Sequence, residues 1–145
     1  MPGQPYFFNV SHSGRWVVAA FSEKEVGIDV EHIRTPNYEV SKRFYSALEI
    51  ATLNAIEDAD VKKDYFFQLW TLKESYLKAI GTGLTKSLSS FTLNTSDGQI
   101  KLVDGLPIDH IFFKQYAFDK DYQLAVCSFE NEFCDDIQLI DIKNL

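Results

Sequence analysis

Three carboxylates and two amines carry the chemistry this sequence offers. Asp29 and Glu31 stand two apart in Val26-Gly27-Ile28-Asp29-Val30-Glu31, where β-branched residues alternate with Gly, Asp and Glu, a period-two pattern that predicts a half-buried strand. On one face of that strand the α-carbons of Asp29 and Glu31 lie about 7 Å apart, so the longer Glu side chain can bend toward the Asp and both can grip one ion. Gly27, on the same face, is expected to leave an open notch beside them. Two like charges at this distance repel unless solvated or neutralised by a cation, and taken alone the pair fits a solvated strand face equally well. The third carboxylate is Glu74. Trp70, Glu74 and Lys78 follow one another at four-residue steps, which on a helix stacks a ring, a carboxylate and an ammonium in one row. Lys73 adds a second amine, and Gly81-Thr82-Gly83 a flexible end that phosphate could approach. Each feature has a plainer reading, since Glu before Lys is an ordinary surface pair and an aromatic at helical spacing is usually core. If Glu74 faces Asp29 and Glu31, however, three hard oxygen donors converge without a thiolate or imidazole, a set that selects Mg2+. Mg2+ on carboxylates keeps waters and takes phosphate oxygens, so the chemistry implied is displacement at phosphorus, assisted by Lys73 and Lys78.

Elements must bring these residues together. The long helix is predicted from Val61 to Ile80, with Tyr65, Leu69, Leu72, Tyr76 and Ala79 at helical spacing and Gly81 and Gly83 as its stop. Before it, Ser46-Ala47-Leu48-Glu49 fits a capping box that starts a helix from Ala47 to about Ile56. A short helix is expected over Tyr38 to Phe44. Tyr6 to Val10, Trp16 to Phe21 and Val26 to Glu31 predict a small antiparallel meander, its second strand apolar enough to be buried on both faces. After Ser90 the chain reads as strands at Phe91 to Asn94, Ile100 to Val103, Ile111 to Phe118, Tyr122 to Phe129 and Ile137 to Ile142. Asp97-Gly98 is a hairpin signal among them. This is an α+β pattern, an antiparallel sheet packed against a long helix.

With 145 residues the chain makes one domain with a real core. A net charge of −7 argues against bulk binding to nucleic acid or anionic lipid, and a polyanionic substrate must be handled locally by the ion and the lysines. No apolar run reaches membrane length and the first residues lack a signal-peptide pattern, so a cytoplasmic protein is expected. Cys127 and Cys134 have neither metal nor redox spacing and are expected to be reduced thiols. Adjacent Ser11 and His12 point to opposite strand faces and do not form a nucleophile and base. No P-loop or zinc motif is present.

Phe8-Asn9-Val10-Ser11-His12-Ser13-Gly14, Val26-Gly27-Ile28-Asp29-Val30-Glu31 and Trp70-Thr71-Leu72-Lys73-Glu74-Ser75-Tyr76-Leu77-Lys78-Ala79-Ile80-Gly81, in that order, resemble the three signature segments of the Sfp-type 4'-phosphopantetheinyl transferases. The resemblance covers nearly the whole chain. It implies transfer of the 4'-phosphopantetheine arm of coenzyme A to a serine of an acyl or peptidyl carrier protein, with release of adenosine 3',5'-bisphosphate. Asp29, Glu31 and Glu74 match the Mg2+ ligands, and Lys78 the lysine on the coenzyme A phosphates. Ser11 and His12 match residues near its 3'-phosphate, with Lys73 a neighbour of the same site. The base would be Glu74 or a metal-bound water. Residues from Ile33 to Phe44, with Arg34, Lys42 and Arg43, resemble the region that meets the acidic carrier. Family members of this type have two similar halves with coenzyme A between them. Residues 26–145 match the catalytic half, while 1–25 match only the last strands of the first half, so most of the basic residues that clasp the 3'-phosphate end have no counterpart apart from Ser11, His12 and Arg15. Single-half relatives trimerise to build each cleft, and a homo-oligomer is expected here too because loss of half an interface exposes apolar strand surface. A non-catalytic coenzyme A or carrier-binding relative is the alternative; a purely structural acidic domain is a third.

Overall fold

The computed structural model describes residues 6–81, 87–96, 98–104, 106–107 and 110–144. Its centre is a layered unit: a β-hairpin, a three-stranded antiparallel sheet and one long helix, stacked in that order. Strands β1 (Phe7–Ser13) and β2 (Trp16–Ser22) form the hairpin. Strand β3 (Val26–His32) pairs with the distant β8 (Tyr122–Ser128), which pairs in turn with β7 (Phe112–Gln115), giving the order β3-β8-β7. The helix α3 (Ala59–Ile80) lies on one face of this sheet.

Alternation in β3 sorts the two faces. Val26, Ile28 and Val30 meet Trp16, Val18 and Ala20 of β2 together with Leu124 and Val126 of β8 in one apolar cluster. The opposite face carries Gly27, Asp29 and Glu31, registered against Cys127, Ala125 and Gln123 of β8. There α3 lays down Leu69, Leu72, Tyr76 and Ala79, which are buried with Ala125 and Cys127. The small side chains let the helix sit close. A Cβ on Gly27 would come within 2.0 Å of the Ser75 carbonyl oxygen and 2.6 Å of the Ala79 nitrogen. The notch expected at Gly27 is therefore filled by helix backbone. Gly27→Ala must push α3 off the sheet or distort it, an overpacking change expected to cost about 3 kcal/mol or more, read as a lower midpoint in urea unfolding.

The remaining elements clamp α3 from its other side. A 3-10 turn (Tyr38–Val40) leads into the single-turn helix α1 (Ser41–Phe44), then α2 (Ala47–Ala55), whose start carries the capping box predicted for Ser46 and Glu49. Strands β4 (Thr92–Asn94), β5 (Lys101–Asp104) and β6 (Leu106–Pro107) make a separate small sheet, with Leu93 and Leu102 in the core beneath α3. Gly81 closes α3 in the left-handed region, φ 68°, a conformation that costs a Cβ-free residue nothing. Gly83 and Asp97, both named as sequence signals, lie outside the described residues.

The fold class is the one expected, with three corrections. The first strands do not form a meander, because β2 turns back over the face of β3 and does not pair with it. Nor is β2 buried on both faces: Val17 and Phe21 are 67% and 72% exposed. Residues 137–142, expected as a strand, run without strand pairing to a 3-10 turn at Ile142–Asn144, with Leu139, Ile140 and Ile142 exposed. Apolar content alone suggested the last two readings, and among the described residues no layer covers the outer face of β2 or residues 137–142.

Candidate active site

The site lies where α3 crosses β3. Four residues of helix rise about 6 Å and two residues of strand about 6.6 Å, so a four-step row on α3 keeps pace with a two-step row on β3. The row Trp70, Glu74, Lys78 accordingly meets the row Glu31, Asp29. At one end the Trp70 indole Nε1 donates to Glu31 Oε1 at 3.2 Å. At the other, Lys78 Nζ donates to the carbonyl oxygen of Ile28 at 2.9 Å and that of Val10 at 3.4 Å, and lies 3.5 Å from Asp29 Oδ1. Glu74 stands between them, close enough that its charge is felt by Asp29 and that of Glu31 by Glu74.

Asp29 is the buried member. Its Oδ1 accepts a long bond from the Ser11 hydroxyl, 3.4 Å, and its Oδ2 is buried without a hydrogen-bond partner. Burial is the main reason its carboxyl is pushed up to about 7, with Glu31 and Glu74 adding to the rise and Lys78 opposing it. Burial also raises Glu74, again against Lys78 and with Glu31. An acceptor oxygen cut off from water and unpaired among two further carboxylates is a position short of positive charge. The donor set, all oxygen, suits a hard divalent cation. As they stand, no three His, Cys, Asp or Glu side chains among the described residues are drawn together tightly enough to hold a metal. Lys78 supplies the cation nearest Asp29, and Glu31 is bonded to Trp70 and to Arg34, whose Nη1 reaches Glu31 Oε2 at 3.3 Å.

Hairpin side chains complete the wall. The β3 edge opposite β8 faces β1, but in place of a backbone ladder Asn9 Oδ1, Ser11 Oγ and Ser13 Oγ accept from the amides of Ile28, Val30 and His32 at 2.9, 3.2 and 3.0 Å. Ser11 thus accepts from Val30 while donating to Asp29, which ties the Asp29 side chain to β1. Its hydroxyl is buried, whereas His12 on the opposite face of β1 is exposed. Arg15 is bound to Asp119 at 2.8 Å.

Lys73 sits elsewhere. Its ammonium has no exposure and lies 2.7 Å from Glu49 Oε1, donating also to the carbonyl oxygens of Leu88 and Phe91. Burial pulls it below the ordinary lysine range even against the pull of Glu49. The expected second phosphate-facing amine does not fit an ammonium enclosed on the far side of the helix, because adjacent helix residues point about 100° apart.

The sequence reading missed the Trp70 and Arg34 contacts to Glu31 and the Asn9-Ser11-Ser13 row. Trp70-Glu74-Lys78 spacing was a signal for the first, and the alternation of short polar residues in β1 for the second. Beside Glu31 an open groove is lined by Arg34, Pro36, Asn37 and Val40, within the segment read as a docking surface, and by Phe67 and Trp70 of α3.

A family model described as the 4'-phosphopantetheinyl transferase superfamily matches residues 25–127. The chain is 40% identical over 147 residues to a 4'-phosphopantetheinyl transferase of Bacillus subtilis, covering 94% of this chain and 64% of that protein. It is 40% identical over 141 residues to 4'-phosphopantetheinyl transferase Sfp of Bacillus subtilis strain 168, covering 95% and 62%. A human L-aminoadipate-semialdehyde dehydrogenase-phosphopantetheinyl transferase is 33% identical over 132 residues, 82% of this chain and 43% of that protein. The chain therefore spans less than two thirds of the length of these curated relatives. In fold it is similar to the holo-[acyl-carrier-protein] synthase of Thermotoga maritima, with a TM-score of 0.59 at 21% identity over 83% of this chain and 71% of that one. A holo-(acyl-carrier-protein) synthase from Bacillus anthracis str. Ames, in complex with CoA (3',5'-ADP), gives 0.57 at 17% over 71% and 92%.

Proposed function

The chain belongs to the 4'-phosphopantetheinyl transferase superfamily, and from that premise we propose that it moves the 4'-phosphopantetheine arm of coenzyme A onto a serine hydroxyl of an acyl or peptidyl carrier protein, using Mg2+. One observation carries the site assignment: the buried, unpaired Oδ2 of Asp29, with Glu31 and Glu74 beside it and Lys78 at its edge. Asp29, Glu31 and Glu74 would hold the ion, which when bound supplies charge neutralisation at the pyrophosphate. In the reaction a phosphorus–oxygen bond forms to the carrier serine and the bond to the bridging oxygen breaks, so that adenosine 3',5'-bisphosphate leaves. Glu74, which stands beside Asp29, takes the serine proton. Lys78, 3.5 Å from Asp29 Oδ1, would supply the fixed positive charge for the phosphates. Ser11 serves by holding Asp29.

In this reading the carrier docks along residues 33–44, where Arg34 lines the groove and Lys42 is exposed, and basic surface suits an acidic carrier. The hairpin would correspond to the last strands of the family's first half, and the curated relatives are longer than this chain. Its outer face carries Phe8, Val10, Val17 and Phe21, between 46% and 72% exposed, with Phe8 and Phe21 paired across the strands. A second copy of the chain would cover that apolar face. Sedimentation of the parent at high concentration should give an oligomer, and Phe8→Ser/Phe21→Ser a monomer; a monomeric parent refutes the self-association. A cytoplasmic location belongs to the same proposal.

The function is tested by incubating the chain with coenzyme A, MgCl2 and an apo carrier protein and weighing the carrier. A gain of one phosphopantetheine is expected. An unchanged carrier, with coenzyme A binding retained in titration calorimetry, would favour the second reading, a binding relative without turnover.

A further inference from the structure

We propose that Trp70 and Arg34 are positioning residues that hold Glu31 back from Asp29 and Glu74, so that Glu31 can join an ion there only by giving up both partners. This rests on the Mg2+ reading above. Both oxygens of Glu31 are engaged on the groove side: Oε1 by the Trp70 indole at 3.2 Å and Oε2 by the Arg34 guanidinium at 3.3 Å. Asp29 stands in the opposite state, with Oδ2 unpaired. The three carboxylates are thus near enough to feel one another yet not gathered, and the donors on Glu31 are what the structure offers as the cause.

The two donors are themselves well anchored. Arg34 Nη1 also reaches the His32 carbonyl oxygen at 2.9 Å, and its guanidinium lies 5.3 Å from the centre of the Phe67 ring. Trp70 packs edge-on against Phe44 at 5.4 Å. The Arg34 bond to Glu31 is longer than the 2.7–2.9 Å usual for ionised pairs, and the Trp70 bond stands at the long end of the ordinary N–H···O range, so both can give way when Glu31 turns. Release has a consequence on the groove side. Arg34 and Trp70 both line it, so a guanidinium that loses its internal carboxylate faces the docking region with its charge unspent. Ion capture and the affinity of that surface for an acidic partner are then linked, and each must favour the other to the same degree.

The test is calorimetric titration of the 145-residue chain with MgCl2 at fixed pH. Trp70→Phe keeps the ring and deletes the donor, and Arg34→Gln changes an exposed side chain with little risk to folding. Each is expected to bind Mg2+ about three- to tenfold more tightly, the range set by losing a partly exposed charge-assisted competitor. In a Trp16→Phe background, indole emission should shift on adding MgCl2, and not in the Glu31→Gln variant. Unchanged or weaker Mg2+ binding by both variants would overturn the proposal, since the two residues would then orient Glu31 for the ion and not withhold it. If the parent and Asp29→Asn alike take up no Mg2+, the metal reading itself fails and this inference falls with it; if the parent binds and the variants do not tighten, only the inference falls.

Discussion

Lys73→Met is expected to destabilise the fold by about 3–5 kcal/mol, the cost of leaving a buried charge without its partner. The ammonium is fully enclosed and Glu49 is 1% exposed, with 2.7 Å between Nζ and Oε1. Glu49 does two further things. Its Oε1 accepts from the amide of Ser46 at 2.8 Å in the capping box, and its Oε2 from the amide of Leu93 at 2.8 Å. The pair therefore joins four elements: α3 through Lys73, α2 through Glu49, β4 through Leu93, and the 3-10 turn Leu88–Ser90 through its carbonyl. Methionine fills much of the lysine volume, so the loss measures charge and hydrogen bonding more than packing. Urea unfolding reads the cost, and a loss under about 1 kcal/mol would mean that the pair is held together by the fold and not the reverse. A second variant separates electrostatics from structure. Lys73→Met/Glu49→Met should recover part of the loss, because it removes the stranded carboxylate as well as its partner. Because Lys73 points away from Asp29, Lys73→Met that remains folded should bind coenzyme A as the parent does. A loss of that affinity with stability intact would return Lys73 to the ligand site.

That pair shows where the sequence stops being legible. Ser46-Ala47-Leu48-Glu49 announced a helix start correctly, since a capping box is a local pattern satisfied by four consecutive residues. Nothing local says that Glu49 has a second partner 24 positions on. Burial of a charged pair is decided by which faces α2 and β4 present to α3, and that is fixed only when the core closes. The same distinction runs through the site. Asp29, Glu31 and Glu74 were readable as a set because strand and helix periodicities each assign a face, and their rises agree over the length of the contact. Gly27 was misread, although its position was noticed, because absence of a side chain looks the same whether it leaves a hole or admits a helix. The backbone distances to Ser75 and Ala79 decide it. At β1 the strand was expected only as far as Val10, whereas it continues through Ser11 and Ser13. Nor could the pattern show that the polar row of Asn9, Ser11 and Ser13 would replace a backbone ladder along β3. Overreading occurred where apolar residues suggested burial on both faces of β2 and a strand at 137–142, since an apolar pattern states what a segment can cover and not whether a covering layer exists.

Asp29→Asn is expected to abolish transfer, lowering the rate about a thousandfold or more, and in the same protein to raise stability. The first effect follows from its place: it is the deepest of the three carboxylates, and removing its charge removes the principal attraction for an ion and the counter-charge of Lys78. A loss of about 4 kcal/mol in transition-state stabilisation corresponds to that factor. The second follows from what burial does to Asp29 in the ion-free chain. Its carboxyl is pushed up from 3.8 to about 7, so between those values the folded protein holds a proton that the unfolded chain has released. Stability from this group is complete below about pH 4 and is lost as pH rises through about 7. Asparagine, neutral at every pH, does not incur the loss. The two proteins should thus differ little near pH 4, and the variant should lead by roughly 1–3 kcal/mol at pH 8 without divalent ions, allowing for imperfect replacement of the Ser11 contact. Adding MgCl2 should close the gap, since an ion bound only by the folded parent stabilises it by mass action. Unfolding midpoints against pH, with and without MgCl2, and the carrier mass assay decide both halves together. An active Asp29→Asn would remove Asp29 from the chemistry. A variant that is inactive but less stable than the parent at pH 8 would mean that Lys78 and Ser11 already repay the burial of its charge, so that no cation is wanting there.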